Sequence, residues 1–158
     1  MRWKSHLGGL YLIKKLIKRR FPGTKYLSHT YCNDILILNI RSTQKTAVCP
    51  YCGFYSSKVH SQHIRKFNDL PYKGYQVTVC LHHKKFLCKN KACKHTTFVE
   101  GFAFISPSEK KTDRLINEII FISNGNSSRK ATSYLKATGI NVCKATVCNL
   151  KNKYSWKR

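Results

Sequence analysis

The sequence predicts an α+β chain: a small ribbon of antiparallel strands between an N-terminal basic helix and a C-terminal group of short helices. Three observations carry that expectation. Two cysteine pairs are closely spaced, β-branched runs lead into and between them, and the pattern turns helical after about residue 105. The boundaries fall at 1–44, 45–104 and 105–158.

Residues 6 to 20 set Leu7, Leu10, Tyr11, Ile13, Leu16 and Ile17 among Lys14, Lys15, Lys18, Arg19 and Arg20. That spacing makes an amphipathic basic helix, stopped by Phe21-Pro22-Gly23. Such a helix sits on a membrane surface or a partner, or packs its stripe on the neighbouring domain; packing is the expectation, because helices bury one stripe. Ile35-Leu36-Ile37-Leu38-Asn39-Ile40 is a lead-in strand. Residues 58–65 read as extended, Asp69 to Gly74 as a turn, and residues 75–87 and 96–100 as further strands.

The first cysteine pair is Cys49-Pro50-Tyr51-Cys52-Gly53 and the second is Cys88-Lys89-Asn90-Lys91-Ala92-Cys93. Two short-spaced pairs set four thiolates at the corners of a tetrahedron, the arrangement that structural zinc prefers. Cys49, Cys52, Cys88 and Cys93 are the predicted ligands of a structural Zn2+, and the layout is a zinc ribbon. Cys32, Cys80, Cys143 and Cys148 lack such partners and read as small buried or surface thiols. His60, His63, His82, His83 and His95 read as exposed strand residues, since four thiolates already complete the shell.

Beyond the ribbon, residues 107–109 open a helical stretch with Leu115, Ile116, Ile119, Ile120 and Phe121 on one side. Ser127 or Ser128 caps a second helix through Leu135, Gly139-Ile140-Asn141 turns, and a third helix runs from about Lys144 to Lys153. Helix, glycine turn and helix make either a helix-turn-helix or a purely structural helical hairpin.

Charge narrows the partner. The chain has 30 Lys and Arg against 6 Asp and Glu, a net charge of +24, with a hydrophobic fraction of 42% that is too high for a disordered polycation. A polyanion relieves that self-repulsion, and double-stranded DNA is the expected partner. Arg65, Lys66, Lys84 and Lys85 on the ribbon are candidate phosphate contacts. On the third helix Lys144, Thr146 and Asn149 are candidates for base readout, with Lys151, Lys153, Lys157 and Arg158 near the backbone. No secretory signal or apolar stretch of about 18 residues is visible, so the expectation is a cytoplasmic protein with no membrane role. The few carboxylates, Asp34, Asp69, Glu100, Glu109, Asp113 and Glu118, form no acidic cluster in the sequence. Phosphoryl transfer on two metals needs converging carboxylates, so the chain is expected not to be an enzyme.

Together with Lys58-Val59-His60-Ser61, Ile64-Arg65, Asp69-Leu70-Pro71, Gly74, Lys84-Lys85-Phe86, Asn90 and Phe98-Val99-Glu100, the cysteines resemble the zinc-binding region of ISL-three-type bacterial insertion-sequence transposases. The resemblance continues into the helix-turn-helix of that family, here around residues 108–153. It implies recognition of an element's terminal inverted repeats, with strand transfer left to a downstream RNase-H-like domain bearing an Asp-Asp-Glu triad. The sequence ends at Arg158, so it looks like a truncated transposase without that domain, nucleoid-associated, paired as a homodimer or with the full-length enzyme. The alternative is a zinc-ribbon protein–protein adaptor with a basic surface. The helix of residues 6–20 is not an obvious part of the family pattern.

Overall fold

The computed structural model describes residues 5–154, with side chains from residue 10; the side chain of Leu7, and Lys157 and Arg158, lie outside it. The elements run α1 (Ser5–Arg20), β1 (Thr24–Cys32), β2 (Ile35–Ser42), β3 (Ala47–Val48), β4 (Tyr55–Ser56), β5 (Val59–Tyr72), β6 (Tyr75–Leu87), β7 (Thr97–Val99), α2 (Asp113–Ser123), α3 (Ser128–Ala137) and α4 (Lys144–Tyr154).

The central sheet has the order β1-β2-β6-β5, with β7 continuing beside β6. Its architecture is α+β, but the sheet is mixed, because β2 and β6 pair in parallel from Ile35↔Gln76 to Arg41↔His82. Within residues 45–104 the ribbon strands pair antiparallel as predicted, β3 with β4, β5 with β6 and β6 with β7. The parallel partner β2 is the lead-in strand, which joins the flank of the hairpin from outside the ribbon. The partner of β2 on the other side, β1, had no counterpart in the strands read from the sequence; it pairs antiparallel across a two-residue turn with Asn33 at φ 50°.

Alternation on β2 and β6 turns Leu36, Leu38 and Ile40, and Val77, Val79 and Leu81, towards one face. There they meet Ile13 and Ile17 of α1 and Phe21 just beyond its end, with Phe67, Phe104 and Ile105 completing the core. The α1 stripe packs through Ile13, Leu16 and Ile17, while Tyr11, expected on it, is exposed on the side of Lys14, Lys15, Lys18 and Arg19. The same core draws on residues either side of position 45.

The tight turn of the long hairpin is Lys73-Gly74, at φ 50° and 84°, between the paired Tyr72 and Tyr75. Two left-handed residues match the twist of the flanking strands. Asp69-Leu70-Pro71, expected within that turn, instead stays in β5, where an irregular register on an edge strand tolerates proline. The three residues form a joint. Asp69, 4% exposed, accepts from Arg114 Nε at 2.6 Å, Thr112 Oγ1 at 2.7 Å and Arg20 Nη1 at 3.4 Å. Leu70 packs against the helical core, and Gly139 sits 3.7 Å from Pro71 if given a Cβ. Gln76 Nε2 donates to the Gly139 carbonyl. One buried carboxylate so ties α1, β5 and α2 together.

The helices close on Leu115, Ile116, Ile119, Ala131, Leu135, Ile140, Val147 and Leu150. The first starts later than residues 107–109, because the Thr112 hydroxyl caps it by accepting from Leu115 N at 3.4 Å. Phe121, expected on the apolar side, is 75% exposed. Ser127 caps α3, and α4 begins at Lys144 as its pattern predicts.

Candidate metal centre and nucleic-acid interface

The first knuckle is a tight turn after β3. Gly53 N donates to Cys49 O and Cys49 N to Phe54 O, both at 2.9 Å, and Gly53 takes φ 72°, which a side chain would strain. The second knuckle follows β6. Cys88 N donates to Thr96 O at 2.8 Å, Cys93 N to Asn90 O at 3.0 Å, and the Asn90 side-chain oxygen accepts from Ala92 N at 2.9 Å. The two turns bring the Sγ atoms of Cys49, Cys52, Cys88 and Cys93 within 4.8 Å of one another, with Cys52 and Cys88 at 3.6 Å. A zinc ion with bonds of about 2.3 Å in a tetrahedron requires sulfur–sulfur edges of about 3.8 Å, so the donor set fits. Four thiolates leave no open position, and the metal is structural.

The thiols alone do not share one acidity. A hydrogen bond from the Phe54 backbone holds Cys52 down to about 7, whereas desolvation pushes Cys88 up to about 12. A cation bound by all four must displace protons, so binding weakens as pH falls. Behind the knuckles lies a small core of Ala47, Cys49, Phe86 and Phe98. In front, Tyr51 and His95 stack at 3.5 Å and 16°. His95 is therefore a packing partner at the rim. His83 departs from the expectation of an exposed histidine: it is 8% exposed, and its Nδ1 has no hydrogen-bond partner. Of the remaining cysteines, Cys80 is buried, Cys32 and Cys143 are exposed, and Cys148 lies between.

A closed four-cysteine centre joining two knuckles and a hairpin defines the class: a zinc ribbon. Residues 45–93, which include all four cysteines, match the family described as the zinc-finger of transposase IS204/IS1001/IS1096/IS1165, so this segment is similar to the zinc ribbon of those transposases. Comparison with curated proteins and with solved structures gave no match.

The basic candidates separate once their contacts are known. Arg65 is half-buried and donates to the carbonyls of Ser106, at 2.6 Å, and Glu109, at 2.5 Å, holding the loop after β7. Lys84 Nζ donates to Gln44 O. Lys66 is exposed and Lys85 half-buried on neighbouring strands. On α4, Lys144 and Asn149 are exposed, and Thr146 Oγ1 lies 3.3 Å from Cys143 Sγ. That hydroxyl, with the first backbone N–H groups of the helix, holds the Cys143 thiol below its ordinary value. Lys151 Nζ donates to Asn126 O at 3.1 Å, and Lys153 pairs with Glu109. The candidates thus split into exposed groups, Lys66, Lys144 and Asn149, and groups that also brace the fold. Signals for Arg20 and Arg114 were absent from the sequence, because their partner Asp69 lies about 45 or more residues away.

Among the described residues, four of the carboxylates, Asp69, Glu100, Glu109 and Asp113, have structural partners. Glu100 accepts from Ser42 Oγ and Lys84 N, both at 2.6 Å; Glu109 accepts from Tyr154 Oη at 3.0 Å; Asp113 accepts from Ser106. The Cys cluster is the one group of three or more metal-ligating side chains found among them. No helix of these residues is long and apolar enough to cross a membrane.

Proposed function

We propose that this chain is a DNA-binding portion of an insertion-sequence transposase, recognising the terminal inverted repeats of its element in the cytoplasm and at the nucleoid. The observation that carries the reading is the ISL-three-type zinc ribbon joined through Asp69-Leu70-Pro71 to a glycine-turned helix pair with an exposed basic start. In it α3 and α4 act as a helix-turn-helix. Gly139, at φ 82°, makes the turn, Ile140 seals it at 4% exposure, and α4 enters the major groove by its N-terminal end. Lys144 and Asn149 meet base edges there, with Thr146 beside them, while Lys151 and Lys153 lie nearer the backbone. The zinc is a staple that fixes the ribbon. Asp69, Glu100, Glu109 and Asp113 hold structural partners, and in this reading the segment grips DNA without cutting it and pairs with a second copy or with a full-length transposase.

Binding to a duplex carrying the terminal repeats, compared with a scrambled duplex, tests this. A preference of about 1,000-fold or more at physiological salt, cut by about tenfold or more in Asn149→Ala with zinc content unchanged, is the expected result. Equal affinity for both duplexes contradicts it. The adaptor reading has one observation in its favour: Tyr51, Phe54 and Tyr55 lie exposed around the first knuckle. Protein capture abolished by substitution of those rings, with weak and salt-insensitive DNA binding, supports that reading instead.

A further inference from the structure

The sheet has a second face, opposite α1, which leaves Arg41, Lys66 and Ile64 exposed. The helical group meets it only at the hairpin's turn end, through Gln76 Nε2 donating to Gly139 O and Leu70 packing on the helical core. Register fixes its members: Ser28, Asn39, Cys80 and Lys66 form one cross-strand row, and Arg41, His82 and Ile64 the next. Arg41 and Lys66 are exposed, and Ile64 is 59% exposed. None of the six Asp and Glu falls on this face. Asp34 is in the β1–β2 turn, Asp69 points into the core junction, and the other four lie outside these strands.

We infer that this open face is a second nucleic-acid surface, which holds the phosphate backbone of duplex DNA without reading its sequence. The inference deepens the DNA-binding reading and rests on it for the class of partner. Charge is its first support, since Arg41, Lys66 and Lys25 stand together with no carboxylate to oppose them. Chemistry is the second: between the cations lie Ser28 and Asn39, hydrogen-bonded to each other at 3.0 Å and neutral side chains of the kind that donate to phosphate oxygens. Mode is the third. The face presents no exposed Phe, Tyr or Trp, so it lacks the rings on which single strands stack, and duplex is favoured over single-stranded DNA. Two strand spacings and two residues of rise set the Arg41 and Lys66 Cα atoms about 12 Å apart. Phosphates that flank a groove are separated on the same scale. The face also gives the N-terminal hairpin, absent from the family match, a place in the grip.

The test is duplex binding of the full zinc-loaded chain across a salt series, on scrambled and terminal-repeat DNA. In Arg41→Gln/Lys66→Gln, affinity should fall on both duplexes alike, and the slope of log affinity against log salt should shrink by about 2. Ile64→Lys, adding a cation to an already exposed position, should steepen the slope by about 1. Unchanged slopes in both variants overturn the inference and identify a merely solvated face. A parent that binds scrambled and repeat DNA equally, yet responds to these variants, overturns the helix-turn-helix reading and keeps this one. A parent that binds no duplex overturns both.

Discussion

The two ends of the β5–β6 hairpin are held by opposite means. At the knuckle end the buried core is Ala47, Cys49, Phe86 and Phe98, too small to order two turns unaided, and the four thiolates supply the rest by holding a metal. At the turn end there is no such need. A sheet packed on α1, a helical core and the Asp69 junction enclose the strands there. The difference teaches that one hairpin carries two kinds of order: one that follows metal and pH, and one that follows apolar burial and a buried charge.

The strongest way to break that contrast is to remove the metal. Cys88→Ser, or a chelator, should abolish zinc binding and strip amide-exchange protection from the knuckles, while the paired centre of β2 and β6 stays protected. Structural zinc contributes about 10–16 kcal/mol in small fingers, so this is the largest effect expected. Acid should do the same, because protons compete for thiolates; protection at the knuckles should fade with falling pH before that of the sheet does. Loss of both ends together would show that the hairpin is a single unit.

Asp69→Ala comes next. It leaves Arg114 and Arg20 facing a desolvated site without their partner, and about 3–5 kcal/mol of stability should be lost in a urea titration. Zinc affinity should not change. Gly139→Ala should cost about 1–2 kcal/mol through its φ of 82°, since the nearest Pro71 atoms leave ordinary contact distance. The smallest effect belongs to Glu109, held below the ordinary carboxylate value by its hydrogen bond from Lys153. A depressed folded value means stability that is present at neutral pH and fades as pH falls through it. Glu109→Gln should flatten that part of the acid-stability profile only slightly, because Lys153 is largely exposed.

What could be read in the sequence followed from local chemistry. The knuckles are short turns with their own glycine and spacing, α3 announces itself by Ser127, and β2 and β6 by their apolar runs. What could not be read was non-local. β1 is polar and mostly exposed along its length, so nothing in Thr24–Cys32 marks it until β2 offers a partner. The parallel pairing of β2 with β6 is a tertiary choice across more than thirty residues. Asp69 looks like a turn residue beside Leu70 and Pro71, and only the fold reveals that Arg114 and Arg20 pair with it and Thr112 donates to it inside the molecule. The zinc site was legible because its ligands lie close in sequence; the roles of the lysines were not, because exposure and carbonyl partners decide which are free to meet a phosphate.

The central claim is that a zinc-stapled ribbon and the helix pair docked on it grip DNA together. It is tested most directly by salt-titrated binding to terminal-repeat and scrambled duplexes, with the zinc-loaded and the chelated protein side by side. Tight, steeply salt-dependent binding with a preference for the repeats, with a marked fall in affinity once zinc is removed, is the expected result. Binding that is equally strong after chelation, or indifferent to salt, would contradict it.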